Sequence, residues 1–144
     1  MQGKFRDKKD IVLSFNGGIN KIIRLVSCKV VNEADLNDLE RMKSQLALFK
    51  SVMGVDAPIQ RAGKAFKIYR DHILAKKVDF IFEIDPLAEC KKIGEEINSD
   101  NAYMINLFKN VRNTCASMSA EEKLHIADLV LELYKDYLEY VVVS

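Results

Sequence analysis

Residues 119–143 read SAEEKLHIADLVLELYKDYLEYVVV, and this stretch decides the fold class. Ser119-Ala120-Glu121-Glu122 has the form of a capping box, in which the Ser hydroxyl and the Glu carboxylate satisfy each other's backbone N–H groups. Behind it an apolar pattern runs without Gly or Pro to Val143, a predicted helix of some 24 residues, about 36 Å at 1.5 Å per residue. At 100° per residue, Leu124, Ala127, Leu131, Tyr134, Leu138 and Val141 form one stripe. Ile126, Val130, Leu133, Tyr137 and Tyr140 form a second beside it. With Leu129 they cover roughly 220° of the circumference, where an ordinary surface helix needs about 100°. His125, Asp128, Glu132, Lys135, Asp136 and Glu139 hold the remaining arc. Two arrangements accommodate such a helix. It is central in a bundle, or part of its face meets another subunit. Tyrosine suits half-wet surfaces, so Leu133, Tyr134, Tyr137 and Tyr140 are the residues expected at a protein contact.

Helix signals recur upstream. Val12, Phe15, Ile19, Ile22 and Val26 are spaced 3, 4, 3, 4 within a helix expected from about Lys8 to Val30. Asn16-Gly17-Gly18 interrupts the stripe, and two glycines at about 1 kcal/mol each predict a kink or break there. A β-hairpin through the Asn-Gly turn is the competing reading. A second helix starts at an Asn32 N-cap with Glu33 and Asp35 in its first turn. Val31 and Leu36 stand in hydrophobic-staple positions. Its stripe is Leu39, Met42, Leu46, Phe49 and Met53, and Gly54 is its stop. Asp56-Ala57-Pro58 opens a third helix, with Ile59, Ala62, Phe66, Tyr69 and Ile73 on one side and Lys76-Lys77 at its end. Val78–Ile84 alternates like a strand but has no partner strand, and reads as a short buried helix or connector. Asp85-Pro86 starts another helix, to about Asn98. Ser99 or Asp100 caps a further one, with Met104, Leu107, Val111 and Cys115 on one side.

These signals predict an all-α chain: one domain over residues 1–144, a compact bundle of five or six helices with a long, largely buried C-terminal helix. Residues 1–9 read as a flexible basic tail. The chain's length suits one domain, and its 49% hydrophobic and 30% charged content argues against intrinsic disorder. No run approaches the ~18 apolar residues of a membrane span, and no secretory signal is visible. Cys28, Cys90 and Cys115 are too few and too scattered for a disulfide framework. The expected setting is therefore intracellular, in cytoplasm or nucleus. Lys outnumbers Arg 16 to 6, a bias found in AT-rich genomes such as those of some large DNA viruses.

Catalytic signatures are missing. There is no Gly-x-Ser-x-Gly, P-loop or Gly-x-Gly-x-x-Gly. Glu122-x-x-His125 has the spacing of a carboxylate-bridged di-metal bundle, but that site needs a second such pair, and His72 has Tyr69 in the matching place. No enzyme activity, cofactor, metal or small-molecule substrate is expected.

Charge is segregated instead. Residues 1–77 carry 16 Lys+Arg and 8 Asp+Glu, net +8; residues 78–144 carry 6 and 13, net −7. Such asymmetry raises polyanion binding by one half or pairing of the two halves. On the third helix, Arg61, Lys64, Lys67 and Arg70 lie opposite the apolar stripe, where they could track phosphates. Phe66 and Tyr69 fall on the apolar side, so no base-stacking platform accompanies them. The leading expectation is a non-enzymatic interaction or assembly protein, a structural or adaptor component of a larger complex such as a virion, with a protein partner or self-association. The alternative is a nucleic-acid-associated accessory protein using the basic half.

Overall fold

The structure, a computed structural model, describes residues 6–63, 66, 70, 73–75, 102–114 and 117–144. Five helices are delimited among them: α1 Lys8–Ser27, α2 Glu33–Met53, α3 Ala57–Arg61, α4 Ala102–Thr114 and α5 Ala120–Val143. The chain is all-α, and no strand occurs among the described residues. The expectations for Val78–Ile84 and for the helix from Asp85 to Asn98 fall outside those residues, as do Lys76-Lys77, Cys90, Cys115 and the cap at Ser99 or Asp100.

The helix ends follow local chemistry. Asn32 Oδ1 accepts from the Asp35 N–H at 2.8 Å, satisfying one donor that a helix start leaves open. Both capping-box bonds form at Ser119: the Glu122 N–H donates to Ser119 Oγ at 3.1 Å, and the Ser119 N–H donates to Glu122 Oε1 at 2.9 Å. Gly54 stops α2 at φ 104°, a left-handed conformation that costs a glycine little. Pro58 sits in the first turn of α3, where its missing N–H is no loss. The staple at Val31 and Leu36 does not close, because Val31 is 82% exposed. Met53, expected at the end of the α2 stripe, is also exposed, since the chain turns away at Gly54.

α1 runs unbroken through Asn16-Gly17-Gly18, contrary to the expected kink or hairpin. The reason is tertiary. α1 packs along α5, and a Cβ built on Gly18 would lie 2.7 Å from Leu133 Cδ2. The missing side chain lets the two helices approach, and the packing gained there offsets the glycine penalty. The pair is antiparallel: Arg6 meets Glu139, Ser14 meets Asp136 and Lys29 meets Glu122. Arg6 is thus held against α5 and Lys8 and Lys9 begin α1, so the expected tail does not extend to residue 9.

The core lies between these helices. Val12, Phe15, Ile19, Ile22 and Val26 are all buried, as are Leu39, Met42, Leu46 and Phe49. Phe66 is the hub of an aromatic cluster, its ring 5.4 Å from Tyr134, 5.3 Å from Tyr137 and 6.4 Å from Phe15, edge-on to the last. Rings at such separations and tilts add about 0.5–1.5 kcal/mol per pair beyond their burial. α4 lies on α2, with Leu107 and Val111 buried, Asn106 Nδ2 donating to Gln45 Oε1 at 2.7 Å and Lys109 paired with Asp38.

Candidate functional site

The outer surface of α5 follows from how its inner face is used. Its buried residues are Ile126, Ala127, Leu129, Val130, Leu133, Tyr134, Asp136 and Tyr140, an arc of about 180° at 100° per residue. Leu133, Tyr134 and Tyr140, expected from the sequence at a protein contact, are therefore interior residues of this chain. Tyr140 OH accepts from Gln60 Nε2 at 2.9 Å, which pins α5 to α3. Tyr137 is half-buried on Phe66, with its hydroxyl in the space that a side chain at Gly63 would fill.

The arc of apolar side chains is wider than the buried arc. What remains outside is Leu124 (46% exposed), Leu138 (45%), Val141 (52%) and Val142 (62%), with Leu131 partly buried between them. Leu124, Leu131 and Leu138 are spaced by sevens, hence on one line of the helix. Lys135, exposed, falls on this line one turn from both Leu131 and Leu138, and Glu121 and Glu132 stand exposed farther round the helix, neither paired with a cation among the described residues. No helix among those residues is long and apolar enough to cross a membrane.

Asp136 is a buried charge that the sequence assigns to the solvated arc. It lies at the border of the apolar arc, and the docking of α1 covers it. Ser14 Oγ donates to Oδ2 at 2.8 Å, and Arg6 Nη2 donates to Oδ1 at 2.7 Å. Arg6 also grips Glu139 at 2.6 Å. The hydrogen bonds it donates to Glu139 and then to Asp136 raise the guanidinium further above its ordinary value, and Arg6 in turn holds Glu139 below the usual carboxylate range. At the far end Lys29 Nζ lies 2.7 Å from Glu122 Oε2. That bond, followed by the Ser119 N–H, lowers the Glu122 carboxyl. Part of the basic half thus faces the acidic last helix inside one molecule. No sequence signal marks these pairs, because each partner is over ninety residues from the other.

A second surface lies between α1 and α2. A groove of about 320 Å³ is lined by Asn20, Ile23, Arg24 and Ser27 from α1 and by Lys43, Leu46, Ala47 and Lys50 from α2. Ile23, Leu46 and Ala47 give it apolar walls, and Arg24, Lys43 and Lys50 give it charge. α1 has no carboxylate from Ile11 to Ser27, nor has α2 from Arg41 to Met53. Lys43 is paired with Glu40 one turn back. Arg24 and Lys50 have no carboxylate partner among the described residues. The sequence reading missed this groove because its cations come from two helices, and their juxtaposition depends on how the helices pack.

Of the residues expected to bind polyanions, Arg61 and Arg70 are exposed, while Lys64 and Lys67 lie outside the described residues. Cys28 is a free, exposed thiol. Among the described residues no group of three or more His, Cys, Asp or Glu stands close enough to hold a metal ion. Compared with known protein families, with curated proteins and with solved structures, the chain matches none.

Proposed function

We propose that this chain is a non-enzymatic interaction and assembly protein that works through protein contacts, in the first instance with copies of itself. The observation that carries the reading is the outer line of α5. Leu124 and Leu138 stay about half exposed, with Leu131 partly buried between them, on a helix whose opposite face is packed, and an exposed apolar line of this kind fits a docking face. The opposed net charges of the two halves of the chain add long-range attraction between unlike surfaces. A role as a structural or adaptor component of a larger complex follows, and a virion component fits the Lys-rich composition. The proposed setting is intracellular, consistent with three scattered cysteines.

The test is molar mass by light scattering on a sizing column, on protein freed of nucleic acid, across concentration and at low and high salt. A mass above 16.4 kDa that grows with concentration is expected. A single 16.4 kDa species throughout would overturn the reading. The nucleic-acid alternative, through Arg61, Lys64, Lys67 and Arg70, makes a different prediction: oligonucleotide affinity that falls steeply with salt and drops on charge reversal at Lys64 and Lys67.

A further inference from the structure

We infer that the α1–α2 groove is a binding site for the phosphodiester backbone of a single-stranded nucleic acid, held by Arg24, Lys43 and Lys50 without readout of its bases. This site goes beyond the assembly reading and does not depend on it.

The groove exists because its two walls have other partners. α1 packs along α5 and α2 packs on α4, while α1 and α2 do not pack as closely on each other. Of the eight residues that line the groove, three are cations and none is an acid. Arg24 is exposed and Lys50 half-buried, and neither has a carboxylate partner among the described residues. Lys43 is shared with Glu40 in a pair whose side chains are 41% and 59% exposed, and ion pairs so wet hold their partners weakly. Lys21, exposed and three residues before Arg24 on the same side of α1, adds a cation at the rim. Asn20, also exposed, brings an amide donor to the lining. Ser27 spends its hydroxyl hydrogen on the Ile23 carbonyl at 2.7 Å and has none left for a ligand. The chain as a whole carries only +1, so its attraction for a polyanion has to be local.

Three features favour a nucleic-acid strand. Residues 20–27 and 43–50 each span about 10 Å of helix, and a stacked strand carries one phosphate per ~3.4 Å of its axis; three phosphates thus meet three cations. Ile23 and Leu46 are only 6% and 4% exposed, so the floor has little apolar surface left to bury against a protein partner. A membrane surface is flat and engages protruding side chains, whereas Lys43 and Lys50 are half-buried in a recess. No aromatic side chain lines the groove, so it offers no stacking platform and affinity rests on the phosphates.

The test is fluorescence anisotropy with a labelled oligo(dT) of about 12 nucleotides, on protein freed of nucleic acid. With three phosphate contacts, log K falls with log salt at a slope of about −2, a loss of about twentyfold between about 50 and 200 mM salt. Arg24→Gln with Lys50→Gln leaves one contact: the slope drops to about −0.7 and binding at the lower salt weakens about tenfold or more. Asn20→Lys adds a cation to the lining and should tighten binding and steepen the slope by about 0.7, a gain that misfolding cannot mimic. Arg112→Gln with Lys135→Gln removes the same charge at exposed positions of α4 and α5 and should leave the slope unchanged. Circular dichroism confirms that each variant keeps the wild-type helix content.

No binding at the lower salt would overturn the proposal. So would equal weakening by the two double substitutions, which would mean diffuse attraction and no site. Binding that survives the groove substitutions but is lost on Arg61→Gln with Arg70→Gln would place the phosphates at those residues instead. Binding of anionic vesicles without binding of the oligonucleotide would assign the groove to a lipid surface, against the proposal.

Discussion

Gly17 and Gly18 are neighbours in α1, and the same substitution should act on them in opposite directions. A Cβ at Gly17 meets nothing within 4 Å. Gly17→Ala therefore keeps only the propensity gain of about 1 kcal/mol, which raises the Tm by about 3–4 °C for a chain of this size. A Cβ at Gly18 falls 2.7 Å from Leu133 Cδ2 and 3.6 Å from Cγ. Leu133 is only 8% exposed, so its branch has little room to turn away. Overpacking of this kind costs about 1–3 kcal/mol. Set against the same propensity gain, Gly18→Ala loses about 1 kcal/mol net and lowers the Tm by about 3 °C. Thermal unfolding followed by circular dichroism at the helix band measures both. The cycle closes with Leu133→Ala: in that background the obstructing branch is gone, and Gly18→Ala should stabilise as Gly17→Ala does, a coupling of about 2 kcal/mol. If Gly18→Ala raises the Tm as much as Gly17→Ala with Leu133 intact, α1 and α5 do not approach at this register and the account of the unbroken α1 fails.

Three further outcomes follow from the pairs described above. Ser119→Ala removes the hydroxyl half of the capping box and should cost about 1 kcal/mol in denaturant titration, with Ser119→Asp close to wild type; equal stability for Ala and Ser would show that the box contributes nothing. Arg6→Ala leaves the Asp136 carboxylate, 7% exposed, without its cation. Because Arg6 itself is 43% exposed, solvent screening limits the loss to about 1–2 kcal/mol, and adding Asp136→Asn should recover part of it; no recovery would mean that the buried charge is not the cause. Glu122 and Glu139 both titrate lower in the folded chain than their ordinary value of 4.5, so the unfolded chain takes up protons first as pH falls. The stability they contribute is full above that value and is lost as pH drops through it toward the lowered folded values. Lys29→Met and Arg6→Met should flatten this acid-side slope, and an unchanged slope in both would contradict the pairings.

Much of the architecture was legible because its determinants are local. The ends of α2 and α5 are written in Asn32, Gly54 and Ser119-x-x-Glu122, where a side chain, or at Gly54 the backbone N–H, reaches backbone no more than four residues away. The stripe through Val12, Phe15, Ile19, Ile22 and Val26 marks the buried face of α1, since any partner would have to cover it. The candidate site was legible only in part. The excess apolar arc of α5 announced that some surface was left over, yet periodicity alone could not say which edge. The tyrosines drew attention as half-polar residues, but Tyr140 spends its hydroxyl on Gln60 inside the molecule, and the outer edge belongs to Leu124, Leu131 and Leu138.

The sequence by itself determined the class of elements, the ends of α2 and α5, the buried stripe of α1 and most of that of α2, and the segregation of charge. These depend on helical period and on caps a few residues long. Only the tertiary structure decided that α1 runs through its glycines, that Asp136 is buried, and that Arg24, Lys43 and Lys50 share one groove. Each of these depends on the register and distance at which two helices meet. That geometry is set by side-chain volumes far apart in the chain, such as the absent Cβ of Gly18 and the branch of Leu133, and no local pattern encodes it.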